Sequence, residues 1–203
     1  MNPDSARDDL AFIRALVAPE DHWQKQFGKL YAAGGACYTV ELIGHIGQLL
    51  GRLPSDGLGA QAIGWVPTIV FLALLLWVIR KDGPQPSGLT SRAVGAVFGA
   101  VGLTNLALCA TIGSVALRLH SQTIWLIYPC VVMILQGLAW LVAFMLRRRA
   151  WLGVVAIGWF AVGVAMAAFI DNMVGFVSAA TVGIVCFMLV PGLYILRRAD
   201  RGA

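Results

Sequence analysis

Between Leu30 and Leu196 the chain offers six apolar runs, each closed by a short polar or basic break. Each approaches the ~20 residues that a helix needs to cross the hydrocarbon core of a bilayer. A soluble core would use segments roughly half as long. Composition agrees: 59% of residues are hydrophobic and only 12% are charged, against about 25% charged in an ordinary soluble domain. Mean hydropathy is +0.80. Because lipid satisfies no backbone hydrogen bonds, each run is predicted to be helical. The predicted fold is all-α: a six-transmembrane-helix bundle over residues 30–196, preceded by a polar segment over 1–29 and followed by a tail over 197–203.

The spans are predicted at about Leu30–Leu50, Ala60–Ile79, Ala93–Leu117, Thr123–Leu146, Trp151–Ile170 and Val174–Leu196. Pro54, Ser55, Asp56 and Gly57 mark the first turn, and Asp171 with Asn172 marks the last. In the N-terminal segment, Leu10, Ile13, Leu16 and Val17 share one face. A short amphipathic helix is expected there, lying on the membrane or capping the bundle. Acidic residues are mixed into this segment and no apolar cleavage signal comes after it, so it does not read as a signal peptide.

Of the fifteen Lys and Arg residues, only Arg52 and Arg118 fall at one set of span ends. The others lie in the N-terminal segment, the Arg80–Arg92 loop, Arg147–Arg149 and the tail. Basic residues stay on the cytoplasmic side, so both termini are expected there, in a bacterial inner membrane. Trp65 and Trp125 near outer ends, with Trp77 and Trp151 near inner ends, suit interfacial anchoring. The same placement accounts for the net charge of +5. No basic helix with interleaved aromatics is present, which argues against nucleic acid as a partner.

Small residues recur at fourfold spacing at Gly95 and Gly99, Ala96 and Ala100, Ala161 and Ala165, and Gly163 and Ala167. They predict close helix contacts. Gly35, Gly99 and Gly158 occupy similar places in the three odd spans, so three degenerate in-out-in hairpins are one reading. Pro67, Pro129 and Pro191 fall inside the three even spans, where each removes a backbone donor. Cys37, Cys109, Cys130 and Cys186 all lie in apolar runs without CxxC spacing. Cys109 and Cys130 sit at similar depth, leaving open a disulfide or simple apolar packing.

One acidic residue, Glu41, lies in the middle of an apolar span, where a charge is costly and calls for a partner, a proton or a water-filled cavity. Cys37, Glu41 and His45 are spaced by four and share one stripe. A carboxyl and an imidazole so placed can hydrogen-bond, hold a proton between them or donate two metal ligands. Asn105, Gln136, Thr68 and Thr104 are polar groups at comparable depth. Two readings are open: a protonatable, solute-orienting pocket of Glu41, His45, Asn105 and Gln136, or a structural cluster in which a neutral Glu41 donates across helices. A metal set of His45, His120, Asp171 and Glu41 has the right ligand types but matches no motif spacing. No phosphate loop, GxSxG or Ser-His-Asp arrangement is present.

Asp8 to Phe12, the block Trp125 to Cys130 and the run Trp140 to Arg149 resemble a group of bacterial inner-membrane proteins of the alphaproteobacterial type. That group carries no assigned activity. The resemblance implies a six-span inner-membrane protein and assigns no site residues. The expected function is a non-catalytic binding or accessory membrane protein without cofactor, holding a protein partner or small solute. The alternatives are a small-solute carrier or channel, proton-coupled through Glu41, and a metal-dependent membrane enzyme.

Overall fold

The structure, a computed structural model, describes residues 21–82 and 88–201, and every element among them is helical. The expected amphipathic helix around Leu10–Val17 lies outside the described residues. The elements are α1 (Asp21–Leu49), α2 (Gly57–Asp82), α3 (Leu89–Arg118), α4 (Gln122–Arg147), α5 (Ala150–Ala168) and α6. The last begins as Met173–Ile184, widens to a π-helical turn over Val185–Leu189 and continues as Val190–Arg201.

Sequence predicts six apolar spans; among the described residues five helices are long and apolar enough to cross a membrane, α2 to α6. The sixth, α1, has 29 residues and so a length of ~44 Å, ample for a bilayer. Its composition is mixed because Glu41, His45 and Gln48 interrupt its apolar residues. It also starts inside the segment read as polar, since Asp21–Lys29 continues the same helix.

Local chemistry stops and starts the helices. Ser121 caps α4 by accepting from the Ile124 amide at 3.4 Å, and Asn172 caps α6 by accepting from Gly175 at 3.2 Å. Arg148 ends α4 in the left-handed region at φ 50°, its amide bonded to the Phe144 carbonyl. Pro67 and Pro129 are accommodated within α2 and α4. Pro191 has no amide to offer Phe187. The turn just before it widens, with the Val190 amide reaching back to Val185.

Lys25 Nζ lies 2.6 Å from Asp200 Oδ1, so the start of α1 and the end of α6 share one end of the bundle. From α1 the packing runs along α6, then α5, α4 and α3, while α2 rests mainly on the other side of α1. The α1–α6 seam is the tightest. A Cβ on Gly35 would lie 2.6 Å from the Leu189 amide nitrogen, and one on Gly192 would collide with the Ala32 backbone. Only glycine permits such an approach, which gives dispersion contact where lipid supplies no hydrophobic drive between helices.

The expected seam on α3 does not form: Ala96, Gly99 and Ala100 are exposed, and a Cβ on Gly99 would meet nothing. Gly35 and Gly158 both back onto α6, against Leu189 and Phe187, so the three aligned glycines are not equivalent. Gly163 does pack as expected, 3.1 Å from the Cys130 carbonyl for a notional Cβ.

Burial is uneven. α5 buries 44% of its apolar window, α2 and α3 only 11%. Leu103, Leu106, Ile157 and Val164 are among many large apolar side chains left outside, a surface that suits lipid and not water. At the end of the bundle where Lys25 meets Asp200, α1, α3 and α4 converge on an aromatic knot. Phe27 lies 4.9 Å from Phe98, and Tyr31 lies 5.2 Å from Trp140, between ring centroids. Trp140 Nε1 donates to the Tyr31 hydroxyl at 2.6 Å, and Arg147 donates to the fully buried Ser91 at 3.0 Å.

Candidate functional site

Helix α1 keeps Cys37, Glu41 and His45 on one stripe, and α2 covers part of it. Close approach is set by Gly44, where a Cβ would strike Ile63, while a Cβ on Gly64 would only touch the His45 imidazole at 3.9 Å. Into that seam Glu41 projects with its side chain 20% exposed. Thr68 of α2 donates to Glu41 Oε2 at 3.3 Å, and its hydroxyl also lies 3.5 Å from the Gly64 carbonyl. His45 Nε2 stands 4.0 Å from Glu41 Oε1.

From His45 the polar line continues toward the C-terminal end of α1. Nδ1 lies 2.8 Å from Gln48 Oε1. Gln48 Nε2 donates to the Pro54 carbonyl at 2.9 Å and reaches the Ala60 carbonyl at 3.5 Å. Two backbone carbonyls can only accept, so they assign Nε2 to that side of the amide and leave Oε1 facing the imidazole. Oε1 accepts, so the proton on a neutral His45 belongs on Nδ1. Nε2 then presents a lone pair toward Glu41 Oε1. An attractive contact between them requires one proton for the pair, on the carboxyl or on the imidazole. At 4.0 Å the two atoms stand beyond hydrogen-bond reach, so the structure shows proximity and not a shared hydrogen bond, with His45 the more exposed at 37%.

The structure brings together only part of the expected cluster. Thr68 joins Glu41, but no described hydrogen bond or ion pair links Asn105 or Gln136 to it. Asn105 on α3 and Gln136 on α4 are half-buried, and each leaves its side-chain carbonyl oxygen buried without a partner. Thr104 is exposed. The four-residue pocket of Glu41, His45, Asn105 and Gln136 is therefore replaced by a line of Thr68, Glu41, His45 and Gln48 along the α1–α2 seam. Gln48 escaped the sequence reading although it stands three residues after His45 on the same face.

The metal set is not assembled either. Among the described residues no three His, Cys, Asp or Glu side chains gather closely enough to hold an ion. His120 sits in the α3–α4 turn at φ 48°, and Asp171 sits in the turn before α6. All four cysteines are free thiols. Cys130 Sγ lies 3.3 Å from the Leu126 carbonyl of its own helix, and neither Cys109 nor Cys130 is bridged.

In comparisons with known proteins, no family matches the chain, and neither a curated protein nor a solved structure does.

Proposed function

We propose that this chain is a six-crossing protein of the bacterial inner membrane, with both ends cytoplasmic, acting as a non-catalytic binding or accessory protein. The placement is supported by the five apolar helices, the length of α1 and the crowding of basic residues at one set of helix ends. Glu41 carries the functional reading: its carboxyl is engaged by Thr68 and His45 within the chain's own α1–α2 seam. The polar line then serves to fasten α2, which rests mainly on α1, and the ligand or partner is held elsewhere on the bundle.

A second reading, a proton-coupled carrier, draws on the half-buried Glu41 carboxyl with the His45 imidazole 4.0 Å from it. Glu41→Gln separates the two, because an amide still accepts from Thr68 but holds no exchangeable acid. With the protein in vesicles enclosing a pH-sensitive dye, the first reading expects no protein-dependent proton entry under an imposed gradient and an unchanged melting temperature for the variant. Proton entry that disappears in Glu41→Gln would establish the carrier and remove the accessory reading.

A further inference from the structure

At the end of the bundle where Lys25 meets Asp200, a cleft opens between α1, α3, α4, α5 and α6, away from the Glu41 line. Its enclosed part is small, about 40 Å³, and the rest lies open to the surroundings. It can seat part of a slim chain and not a bulky head. Its walls are aromatic: Phe27, Phe98, Trp140, Trp151 and Tyr194. The rings contact one another, with Trp140 to Trp151 at 5.8 Å and Trp151 to Tyr194 at 5.4 Å between centroids.

The rim is cationic. Arg147, Arg149 and Arg198 all border the cleft, and no acid does among the described residues. Arg147 is already engaged by Ser91, so Arg149 and Arg198 are the charges on offer. Both are exposed, and neither has an acidic partner among the described residues. Arg198 is steadied by the Tyr194 hydroxyl at 3.4 Å. A further donor is unsatisfied: Trp151 Nε1, in the cleft wall, is buried with no acceptor. An apolar slot, a pair of guanidiniums at its mouth and a spare indole donor together match a molecule with a hydrocarbon chain and an anionic, oxygen-rich head.

We propose that this cleft binds an anionic phospholipid, one acyl chain along the aromatic wall and the phosphate at Arg149 and Arg198. Guanidinium suits phosphate because its fork donates two parallel hydrogen bonds. Basic pockets between helices on the cytoplasmic side of a membrane are where acidic headgroups are available. The proposal rests on the membrane placement above and not on the role given to Glu41. A protein that stayed folded and dispersed without detergent would remove the placement; a flat lipid titration removes this site alone.

The test uses the full chain in neutral detergent, titrated with phosphatidylglycerol, phosphatidylethanolamine, diacylglycerol or inorganic phosphate. Bound adducts are counted by native mass spectrometry. Phosphatidylglycerol should bind selectively, and the R149Q/R198Q double variant should weaken it about 25-fold, roughly fivefold per arginine. R197Q, outside the cleft, should bind as the parent does. R149K/R198K, which keeps the charge that sets topology, should fall between. Equal binding of the zwitterionic lipid or diacylglycerol, unchanged binding by R149Q/R198Q, or inorganic phosphate binding as tightly as the lipid would each overturn the assignment.

Discussion

Replacing Tyr31 by Phe removes one oxygen and almost no volume, so any loss of stability reports polar chemistry alone. That oxygen accepts from Trp140 Nε1 at 2.6 Å. Trp140 is 1% exposed, so its N–H cannot turn to solvent. A buried donor left without an acceptor costs roughly 1–3 kcal/mol. Hydrogen bonds inside membranes average nearer ~0.6 kcal/mol, with a ceiling of ~1.7, because the unfolded state in a bilayer also finds partners. Complete enclosure places this pair toward the ceiling, so Tyr31→Phe should cost about 1–2 kcal/mol. The assay is a titration from mild detergent into dodecyl sulfate, monitored by far-ultraviolet circular dichroism. Trp140→Phe completes a double-mutant cycle, and the coupling should exceed about 0.5 kcal/mol. A Tyr31→Phe variant within about 0.3 kcal/mol of the parent, or a cycle with no coupling, would refute the claim that this bond joins α1 to α4.

Other substitutions test the seams. Gly35→Val forces a side chain into the Leu189 backbone and should cost about 1–3 kcal/mol or more, seen as lost folded yield. Gly99→Ala on exposed α3 should be neutral or slightly stabilising, by up to about 1 kcal/mol from helix propensity. Thr68→Val should loosen α2 by about 0.6 kcal/mol, measurable in the same titration, and leave α3–α6 intact by hydrogen exchange. Thiol titration in dodecyl sulfate without reductant should return four free cysteines per chain; two would reveal a Cys109–Cys130 bridge. His120→Gly, relieving a φ of 48°, should hold or raise the melting temperature by a few degrees.

Much of this architecture is legible in the residue order, because it depends on length and punctuation. Arg80-Lys81 ends α2, Arg147 ends α4, and Ser121 and Asn172 cap α4 and α6, all from local chemistry that one segment contains. The pairing of Glu41 with His45 is also legible, since four residues make about one helical turn. Which polar groups join them is not. Thr68 does and Asn105 does not, and depth alone, the only coordinate that a sequence supplies, is much the same for both. What differs is azimuth around the bundle: α2 covers the Glu41 stripe of α1, whereas α3 rests mainly on α4. The aromatic cleft escapes for the same reason, because Phe27, Trp151 and Tyr194 come from three helices far apart in the chain.

What the residues determine unaided is a set of long apolar helices set apart by polar and basic breaks. Helices of this length and apolarity satisfy their own backbone and suit lipid. What only the tertiary structure decided is which side of each helix turns inward. In α5, Val155, Ala156 and Trp159 are buried while Val154, Ile157 and Val164 are exposed, and nothing in their polarity separates the two sets. In water an apolar face must be hidden. In lipid it need not be, so shape takes over: a glycine that admits a backbone, as at Gly35 and Gly192, and an indole that reaches a hydroxyl, as Trp140 reaches Tyr31.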